Sequence, residues 1–231
     1  MPEQLSKQEL EALRTITTPT IANAIEVFNI QPRNTGFMTP DIRCILPELG
    51  TMVGYAVTCT IRAELPPAPG REVSRPDWWD YIATIPEPRV VVVQDLDRQP
   101  IGSMWGEVNG SIHKALGCIG TVTDGGVRDL DEVRAMGFYY FASCILVSHA
   151  YIHLVDFGNP VKVGGMVVKP GDIIHGDQHG VASIPMSIAT QIPEAVAKVE
   201  ARERPLIEAC HASDFTIGKL KQVWQQVRGY A

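Results

Sequence analysis

The sequence of 231 residues predicts an α/β fold followed by helices at the C-terminus. Three patterns lead to this prediction. Residues 89–95 contain four consecutive valines, strand-like and helix-like segments alternate between 89 and 141, and short strands replace them after Gly158. A continuous apolar run indicates a strand covered on both faces, and alternation with short connections favours parallel strands joined by helices.

The N-terminal residues 1–30 are predicted to form two helices. Ser6 and Glu9 have the spacing of a capping box, and Thr18-Pro19 fits the N-cap and first turn of the second helix. In residues 51–62 apolar side chains occupy every second position, which predicts a half-buried strand.

The core, residues 31–185, contains the remaining strands. These are predicted at 89–95, 118–123, 138–141, 161–163, 166–168, 172–175 and 180–184, with helices at 107–116 and 130–136. Gly164-Gly165 indicates a two-residue hairpin turn. Residues 186–231 are predicted to form a tail of two helices, the second opening near Ser213-Asp214. Because no repeat or linker interrupts the sequence, residues 1–231 are predicted to form a single domain.

Composition argues against several classes of protein. With 20 basic and 26 acidic residues the formal net charge is −6, which disfavours a nucleic-acid partner because phosphate binding needs a basic surface. The apolar runs are too short to cross a membrane and residues 1–13 lack a signal-peptide pattern, so we expect a cytoplasmic protein with no membrane partner. The 5 cysteines include no CxxC pair and are predicted to be reduced, mostly as small core side chains.

A candidate site follows the strand predicted at 118–123, in the segment DGGVRD. Ligands of α/β proteins gather at the carboxyl ends of strands. Arg128 can donate two parallel hydrogen bonds to a carboxylate or carbonyl group, and Asp129 offers the hard oxygen ligand that Mg²⁺ or Mn²⁺ prefers. The same pair also fits a capping aspartate beside a solvated arginine, and the residues alone leave both interpretations open.

A second candidate segment, GEVNG at residues 106–110, lies at the predicted start of a helix. The N–H groups at a helix start bind anions, and a substrate carboxylate is one such anion. Glu107 supplies a carboxylate that can hold a metal-bound water or move a proton. An equally weighted alternative is that Glu107 only stabilises the dipole of its own helix.

Histidines outside these segments give weaker signals. His175, Asp177 and His179 would share one face of a strand, where a polar turn is favoured over a metal site. His149 and His153 have helix-compatible spacing with no acidic residue between them, so we expect a role in packing or at an interface rather than in zinc binding.

Taken together, the segments GEVNG, GCIGTVTDGGVRD and GFYYFAS, with the later residues 161–172, resemble the RraA-like family. That family includes class II 4-hydroxy-4-methyl-2-oxoglutarate aldolases and the regulator of ribonuclease E activity. The resemblance implies a compact α/β sandwich with a β-barrel-like core of the swivelling-domain type. It also implies assembly as a homotrimer or a dimer of trimers, with active sites between subunits.

For the site, the resemblance implies that Arg128 holds the 2-oxo group of the substrate and stabilises a pyruvate enolate. Asp129 would bind Mg²⁺ or Mn²⁺, largely through water molecules that Glu107 orients. A glutamate from the C-terminal helix of a neighbouring subunit would complete the site, with Glu203 or Glu200 as candidates.

By the same resemblance, backbone amides of the GEVNG segment would hold the substrate carboxylate, at Gly106, Val108, Asn109 and Gly110. Aldolases of the family tend to have Leu-Leu where this chain has Val108-Asn109, which leaves the particular 2-oxo acid open. The implied activity is that of a lyase acting by retro-aldol cleavage or by decarboxylation of oxaloacetate. The alternative is a non-catalytic regulatory protein that binds an RNA-degrading enzyme, and the joint presence of Arg128, Asp129 and Glu107 favours the enzyme.

Overall fold

The computed structural model describes residues 4–228, so the predicted segments 1–30 and 186–231 each extend beyond the described residues. The helices are α1 Lys7–Arg14, α2 Thr18–Glu26, α3 Arg75–Thr84, α4 Glu107–Ala115, α5 Leu130–Met136, α6 Ile192–His211 and α7 Ile217–Arg228. The strands are β1 Arg43–Cys44, β2 Met52–Arg62, β3 Arg89–Asp95, β4 Ser103–Trp105, β5 Cys118–Val127, β6 Tyr139–Ile145, β7 His153–Phe157, β8 Val161–Val163, β9 Met166–Val168, β10 Ile173–Asp177 and β11 Gly180–Ile184. Within the described part of the chain, none of the helices is long and apolar enough to cross a membrane.

Nine strands form one sheet in the order β1-β6-β5-β3-β2-β10-β11, with β4 paired to β5 and β7 paired to β2. The pairs β2–β3, β3–β5, β4–β5 and β5–β6 are parallel, and the outer strands join antiparallel. β8 and β9 form a separate hairpin around Gly164-Gly165, as predicted. The sheet curls into a nearly closed, barrel-like core followed by C-terminal helices, which confirms the predicted fold class.

The central strand β3 is covered on both faces, as its four valines predict. Val91 and Val93 lie in an apolar cluster with side chains of α3 and α5. Val90 and Val92 point to the opposite face and pack with the β8-β9 hairpin. A third cluster packs α1, α2 and α6 against β2 and β10. The apolar core is therefore built in layers on either side of the central strands.

The prediction of a half-buried strand at residues 51–62 is wrong in one respect. β2 is buried along nearly its whole length, and only Arg62 at its end is exposed. Two residues of its expected solvent face are small: Ala56 packs against the hairpin cluster, and a Cβ on Gly54 would lie 2.5 Å from the carbonyl oxygen of Pro88. The alternation in sequence therefore reflects side-chain size and close layer packing rather than exposure to solvent.

Several predicted boundaries also differ. β5 continues through the DGG segment to Val127, with a register shift between Thr123 and Gly126 that marks a bulge against β6. Glycines at a bulge look like turn glycines in sequence, which explains the shorter prediction. The N-cap of α2 is Thr17 rather than Thr18, and α7 begins at Ile217 rather than near residue 213.

The cysteines are free, in agreement with the prediction. Cys59 and Cys118 are buried, whereas Cys44 and Cys144 are partly buried. Cys210 is exposed on α6 and is not a core residue.

A buried histidine, His113 of α4, links two helices in the layer beneath the candidate site. Trp78 Nε1 donates to its Nε2 over 3.0 Å, and its Nδ1 lies 2.7 Å from the carbonyl oxygen of Asn109. A carbonyl only accepts, so the ring is neutral with its hydrogen on Nδ1. Burial lowers the pKa of His113 to about 4, because the charged ring would lose its solvation.

We expect this histidine to make the protein sensitive to acid. The unfolded state binds the proton near pH 6.5 and the folded state near pH 4, so the free energy of unfolding falls as the pH drops between these values. The contribution is about 3 kcal/mol. Urea unfolding of wild type and of His113→Gln at several pH values measures it, and the variant should lose less stability across that window.

The comparison with the variant is necessary because Asp124 acts in the opposite direction. Burial raises its pKa from 3.8 to about 6, so its protonation stabilises the folded state as the pH falls. Asp124 is the same in both proteins and cancels in the difference. Parallel pH curves for wild type and His113→Gln would contradict the assignment.

Candidate active site

The two candidate segments meet at one edge of the sheet. β4 ends at Trp105 and β5 ends at Val127, and these two residues are partners in a parallel pairing. The segments that follow, Gly106-Glu107 and Arg128-Asp129, therefore leave the sheet side by side. This is the arrangement expected of ligand sites at the carboxyl ends of parallel strands.

Asp129 turns its carboxylate towards the start of α4 rather than towards its own helix. Its backbone is left-handed, with φ 55° and ψ 50°, and it makes no side-chain capping bond to α5. Instead its Oδ2 accepts a hydrogen bond of 3.0 Å from the N–H of Glu107. A Cβ on Gly106 would lie 2.4 Å from that oxygen, so the close approach requires glycine. Asp129 therefore occupies the N-cap position of α5 without capping that helix through its side chain.

Arg128 is held by its backbone while much of its guanidinium remains available. Its N–H donates to the carbonyl oxygen of Trp105 over 3.1 Å, and its Nη1 reaches the carbonyl oxygen of Val147 at 3.5 Å. Its Nε lies 3.8 Å from Asp129 Oδ1, and both side chains are 35% exposed. The remaining N–H groups can bind oxygen atoms of a ligand.

The first turn of α4 provides free amides. The N–H of Glu107 bonds to Asp129, and the N–H of Gly110 bonds to the carbonyl oxygen of Gly106 over 2.8 Å. Gly110 is thus committed to the helix, which differs from its expected role at the substrate carboxylate. The amides of Val108 and Asn109 have no carbonyl of their own helix to bond and remain candidates for an anion.

The side chain of Asn109 has a structural role. Its Nδ2 donates to the carbonyl oxygen of Met104 over 2.5 Å. The backbone carbonyl oxygen of Asn109 accepts from His113 Nδ1. The amide side chain therefore ties α4 to β4, and the backbone N–H is the donor at this position that remains available to an anion.

A cavity of about 490 Å³ opens beside Arg128 and Asp129. Gly106, Val108 and Asn109 line it on one side. Other lining residues were not predicted from the sequence; they include Arg75 at the start of α3, Met104, His149, Tyr151 and Ile152. His149 lies in the cavity wall, and its expected role in packing or at an interface stays a prediction. No motif marks these positions, because they reach the cavity from a separate helix, from the short strand β4 and from the turn before β7.

The remaining predicted site residues do not line the cavity. Glu107 is exposed at the start of α4, next to the cavity. Glu203 and Glu200 are exposed on α6, and neither lines the cavity of the same chain.

The polar residues near the end of β10 are structural, as the favoured interpretation predicts. Asp177 accepts hydrogen bonds from the N–H groups of Thr18 and His179, over 2.9 and 2.8 Å. Buried His175 contacts the Thr18 hydroxyl and the carbonyl oxygen of Leu13. These contacts fasten the first two helices to the sheet.

Asp124, the first residue of the DGGVRD motif, also serves the fold. Its Oδ1 accepts from the N–H of Asp95 over 2.7 Å, which joins the ends of β3 and β5. Burial raises the pKa of both carboxyl groups. The pair therefore stiffens the strand end that presents Arg128.

The site fits a hydrated divalent cation better than one enclosed by the protein. Among the described residues, no group of three or more His, Cys, Asp or Glu side chains could surround a metal ion. Asp129 presents a partly exposed carboxylate to the cavity, and Glu107 lies next to it. Magnesium commonly keeps several waters and uses only one or two carboxylates, so this donor set suits Mg²⁺ or Mn²⁺.

Comparison with known proteins places the chain in a family. A family model described as "RraA-like: Aldolase/RraA" matches residues 18–182. The chain is 32% identical over 126 residues to the "Putative 4-hydroxy-4-methyl-2-oxoglutarate aldolase" of Halalkalibacterium halodurans, across 52% of this chain and 59% of that protein. It is 26% identical over 147 residues to protein DlpA of Legionella pneumophila, across 62% of this chain but 23% of that protein.

Solved structures show the same fold. An uncharacterized protein from Pseudomonas syringae has a TM-score of 0.72 at 24% identity, with 98% of both chains covered. Streptomyces coelicolor RraAS2, described as an unusual member of the RNase ES inhibitor RraA protein family, has a TM-score of 0.67 at 21% identity. That alignment covers 87% of this chain and 96% of RraAS2.

The fold and the site together define a compact α/β protein with a cavity at the carboxyl ends of two parallel strands. The chain belongs to the RraA-like family, because the family model covers well over half of its 231 residues.

Proposed function

We propose that the protein is a divalent-metal-dependent lyase that cleaves carbon–carbon bonds in 2-oxo acids. The observation that carries the proposal is the meeting of Arg128, Asp129 and the free amides of α4 at one cavity. A carboxylate, a 2-oxo group and a metal ion each find a suitable partner there. The relative from Halalkalibacterium halodurans supports the reaction class by its name.

The substrate carboxylate binds the N–H groups of Val108 and Asn109 at the positive end of the α4 dipole. Arg128 then donates to the oxygen of the 2-oxo group. When the bond beyond C3 breaks, its electrons move towards that oxygen and form a pyruvate enolate. Arg128 stabilises the charge because its donors are already in place. No lysine lines this cavity within residues 4–228, which favours this route over a covalent imine.

Asp129 would hold Mg²⁺ or Mn²⁺ beside the oxygen of the 2-oxo group, and Glu107 would orient a water molecule of the ion. When bound, the ion would supply a Lewis acid for the enolate oxygen. We infer that a glutamate of a neighbouring subunit, Glu203 or Glu200 on α6, completes the site in a homotrimer or a dimer of trimers. A small 2-oxo acid is then the substrate of the site, and turnover of different 2-oxo acids identifies which one.

The proposal is tested by pyruvate release from oxaloacetate and from 4-hydroxy-4-methyl-2-oxoglutarate, with Mg²⁺, with Mn²⁺ and after chelation. We expect turnover that requires the metal and falls roughly 100-fold in Asp129→Asn, since a carboxylate acting through metal-bound water has effects of this size. Asp131→Asn is the matched control, because Asp131 is exposed on the next turn and pairs with Arg134.

Two results together would overturn the proposal: no turnover of either substrate, and no binding of Mg²⁺ or Mn²⁺ by calorimetry. They would favour the regulatory alternative, in which the protein acts on an RNA-degrading enzyme by direct contact. Turnover that persists after chelation would contradict the metal requirement.

A further inference from the structure

We propose that His149 is the acid–base residue of this cavity and that its Nε2 takes the proton of the substrate C4 hydroxyl during retro-aldol cleavage. The proposal rests on the proposed function and adds to it, because stabilisation of an enolate by a metal and Arg128 does not by itself account for removal of this proton. His149 lines the same cavity as Arg128 and Asp129. Histidine is the side chain most often used for such a transfer.

The segment that carries His149 is bonded to both halves of the site. Arg128 Nη1 donates to the carbonyl oxygen of Val147 at 3.5 Å, two residues before the histidine. The N–H of Ser103, in the strand that leads to Gly106, donates to the carbonyl oxygen of Ser148 over 2.9 Å. These bonds fix the position of His149 relative to the guanidinium and to the start of α4.

The turn itself is tightly constrained. Ala150 has φ 44°, in the left-handed region that alanine rarely adopts, and its N–H donates to the Ser148 hydroxyl over 3.0 Å. The N–H of Ile152 closes the turn on the carbonyl oxygen of His149, also over 3.0 Å. Strained backbone persists where the surroundings hold it, and such positions cluster at functional sites. Here the strained turn places an exposed histidine in the wall of the cavity.

The hydrogen bond of the ring selects the tautomer that the reaction needs. Nδ1 of His149 lies 2.7 Å from the carbonyl oxygen of Ala150. A carbonyl oxygen only accepts, so the neutral ring has its hydrogen on Nδ1 and a lone pair on Nε2. Among residues 4–228, Nε2 has no hydrogen-bond partner. It is therefore free to accept a proton from a ligand.

The proton and the electrons balance over one turnover. Nε2 takes the C4 hydroxyl proton, the C4–O bond becomes a carbonyl, and the C3–C4 bond breaks with its electron pair moving into the enolate. The carbonyl product leaves the site. The protonated Nε2 then gives its proton to C3 of the enolate, which forms the methyl group of pyruvate and restores the neutral ring.

Decarboxylation of oxaloacetate provides an internal comparison. Loss of CO₂ breaks the C3–C4 bond and forms the same enolate without removal of a hydroxyl proton. Solvent water can then protonate C3. The cleavage step of oxaloacetate therefore does not need His149, whereas the cleavage step of a 4-hydroxy-2-oxo acid does.

The test compares both reactions in His149→Asn. The asparagine amide can still donate to the carbonyl oxygen of Ala150, so the turn is kept while the proton acceptor is removed. We expect cleavage of 4-hydroxy-4-methyl-2-oxoglutarate to fall on the order of 100-fold or more, and oxaloacetate decarboxylation to change by about threefold or less. Exchange of the pyruvate methyl hydrogens in D₂O, followed by NMR with Mg²⁺ present, should slow as well.

His153→Asn is the matched control, since its Nδ1 contacts the carbonyl oxygen of Tyr151 at 2.8 Å but the residue does not line this cavity. It should leave both reactions unchanged. Normal retro-aldol cleavage by His149→Asn, or an equal loss on both substrates, would overturn the role of His149 alone. Wild-type protein without either reaction would overturn the proposed function, and the role of His149 with it.

Discussion

Replacement of Arg128 by alanine should lower kcat/KM for cleavage of 2-oxo acids by roughly 10³-fold, the loss expected when a preorganised donor to a developing oxyanion is removed. The protein should remain folded, because the bond from the Arg128 N–H to Trp105 involves only the backbone. The side chain is 35% exposed, so little packing is lost. Steady-state kinetics on oxaloacetate and on 4-hydroxy-4-methyl-2-oxoglutarate measure the effect.

Arg128→Lys separates charge from geometry in the same experiment. Lysine keeps the positive charge but lacks the planar fork that reaches both the substrate and the carbonyl oxygen of Val147. We expect it to recover only a small part of the lost rate. Arg134→Ala is the control, because Arg134 lies on the following helix and pairs with Glu48 and Asp131 at the surface. Wild-type kinetics in Arg128→Ala would refute the assigned role.

The substitutions at Arg128 and His149 should differ in pattern as well as in size. Both reactions pass through a pyruvate enolate, so loss of Arg128 should impair both of them. Only retro-aldol cleavage requires removal of a hydroxyl proton, so loss of His149 should impair one. A residue that merely supports the fold would affect both reactions alike, which makes the ratio of the two rates the informative quantity.

The sequence predicts those parts of the fold that depend on local chemistry. The valines of β3 and the Gly164-Gly165 hairpin have the predicted bounds, because a doubly covered strand and a tight turn restrict composition strongly. β4 and β7 were not predicted. β4 has 3 residues, and β7 has no residue that is fully buried, so neither has the apolar pattern by which a strand is recognised.

The candidate site likewise has residues that the sequence predicts and residues that only the structure places there. Arg128 and Asp129 stand in a motif at a strand end, and their approach to Gly106 follows from the parallel pairing of β4 with β5. His149 and Arg75 reach the cavity only through the tertiary fold. The left-handed turn at Ala150 has no glycine or asparagine to indicate it, so local sequence could not place the histidine.

A buried arginine, Arg89, joins the ends of two helices at the start of β3. Its Nε donates to the carbonyl oxygen of Ile85 over 2.6 Å, and its Nη2 lies 3.3 Å from that of Ala83, both at the end of α3. Its Nη1 donates to the carbonyl oxygen of Leu116, which follows α4. The last carbonyls of a helix have no partner within it, so the guanidinium satisfies partly buried groups that would otherwise lack a protein donor.

Arg89→Met should lower the free energy of unfolding by about 3 kcal/mol, because methionine fills much of the space but leaves these carbonyls unpaired. At a typical dependence on denaturant this shifts the urea midpoint by roughly 1–2 M. Arg134→Met, which removes a surface arginine with two ion pairs, should lower the free energy of unfolding far less, because exposed ion pairs contribute little to stability. Equal urea midpoints for the two variants would mean that Arg89 contributes no more to the free energy of unfolding than a surface arginine does. A large and selective loss would show that the C-terminal ends of α3 and α4 depend on one buried guanidinium.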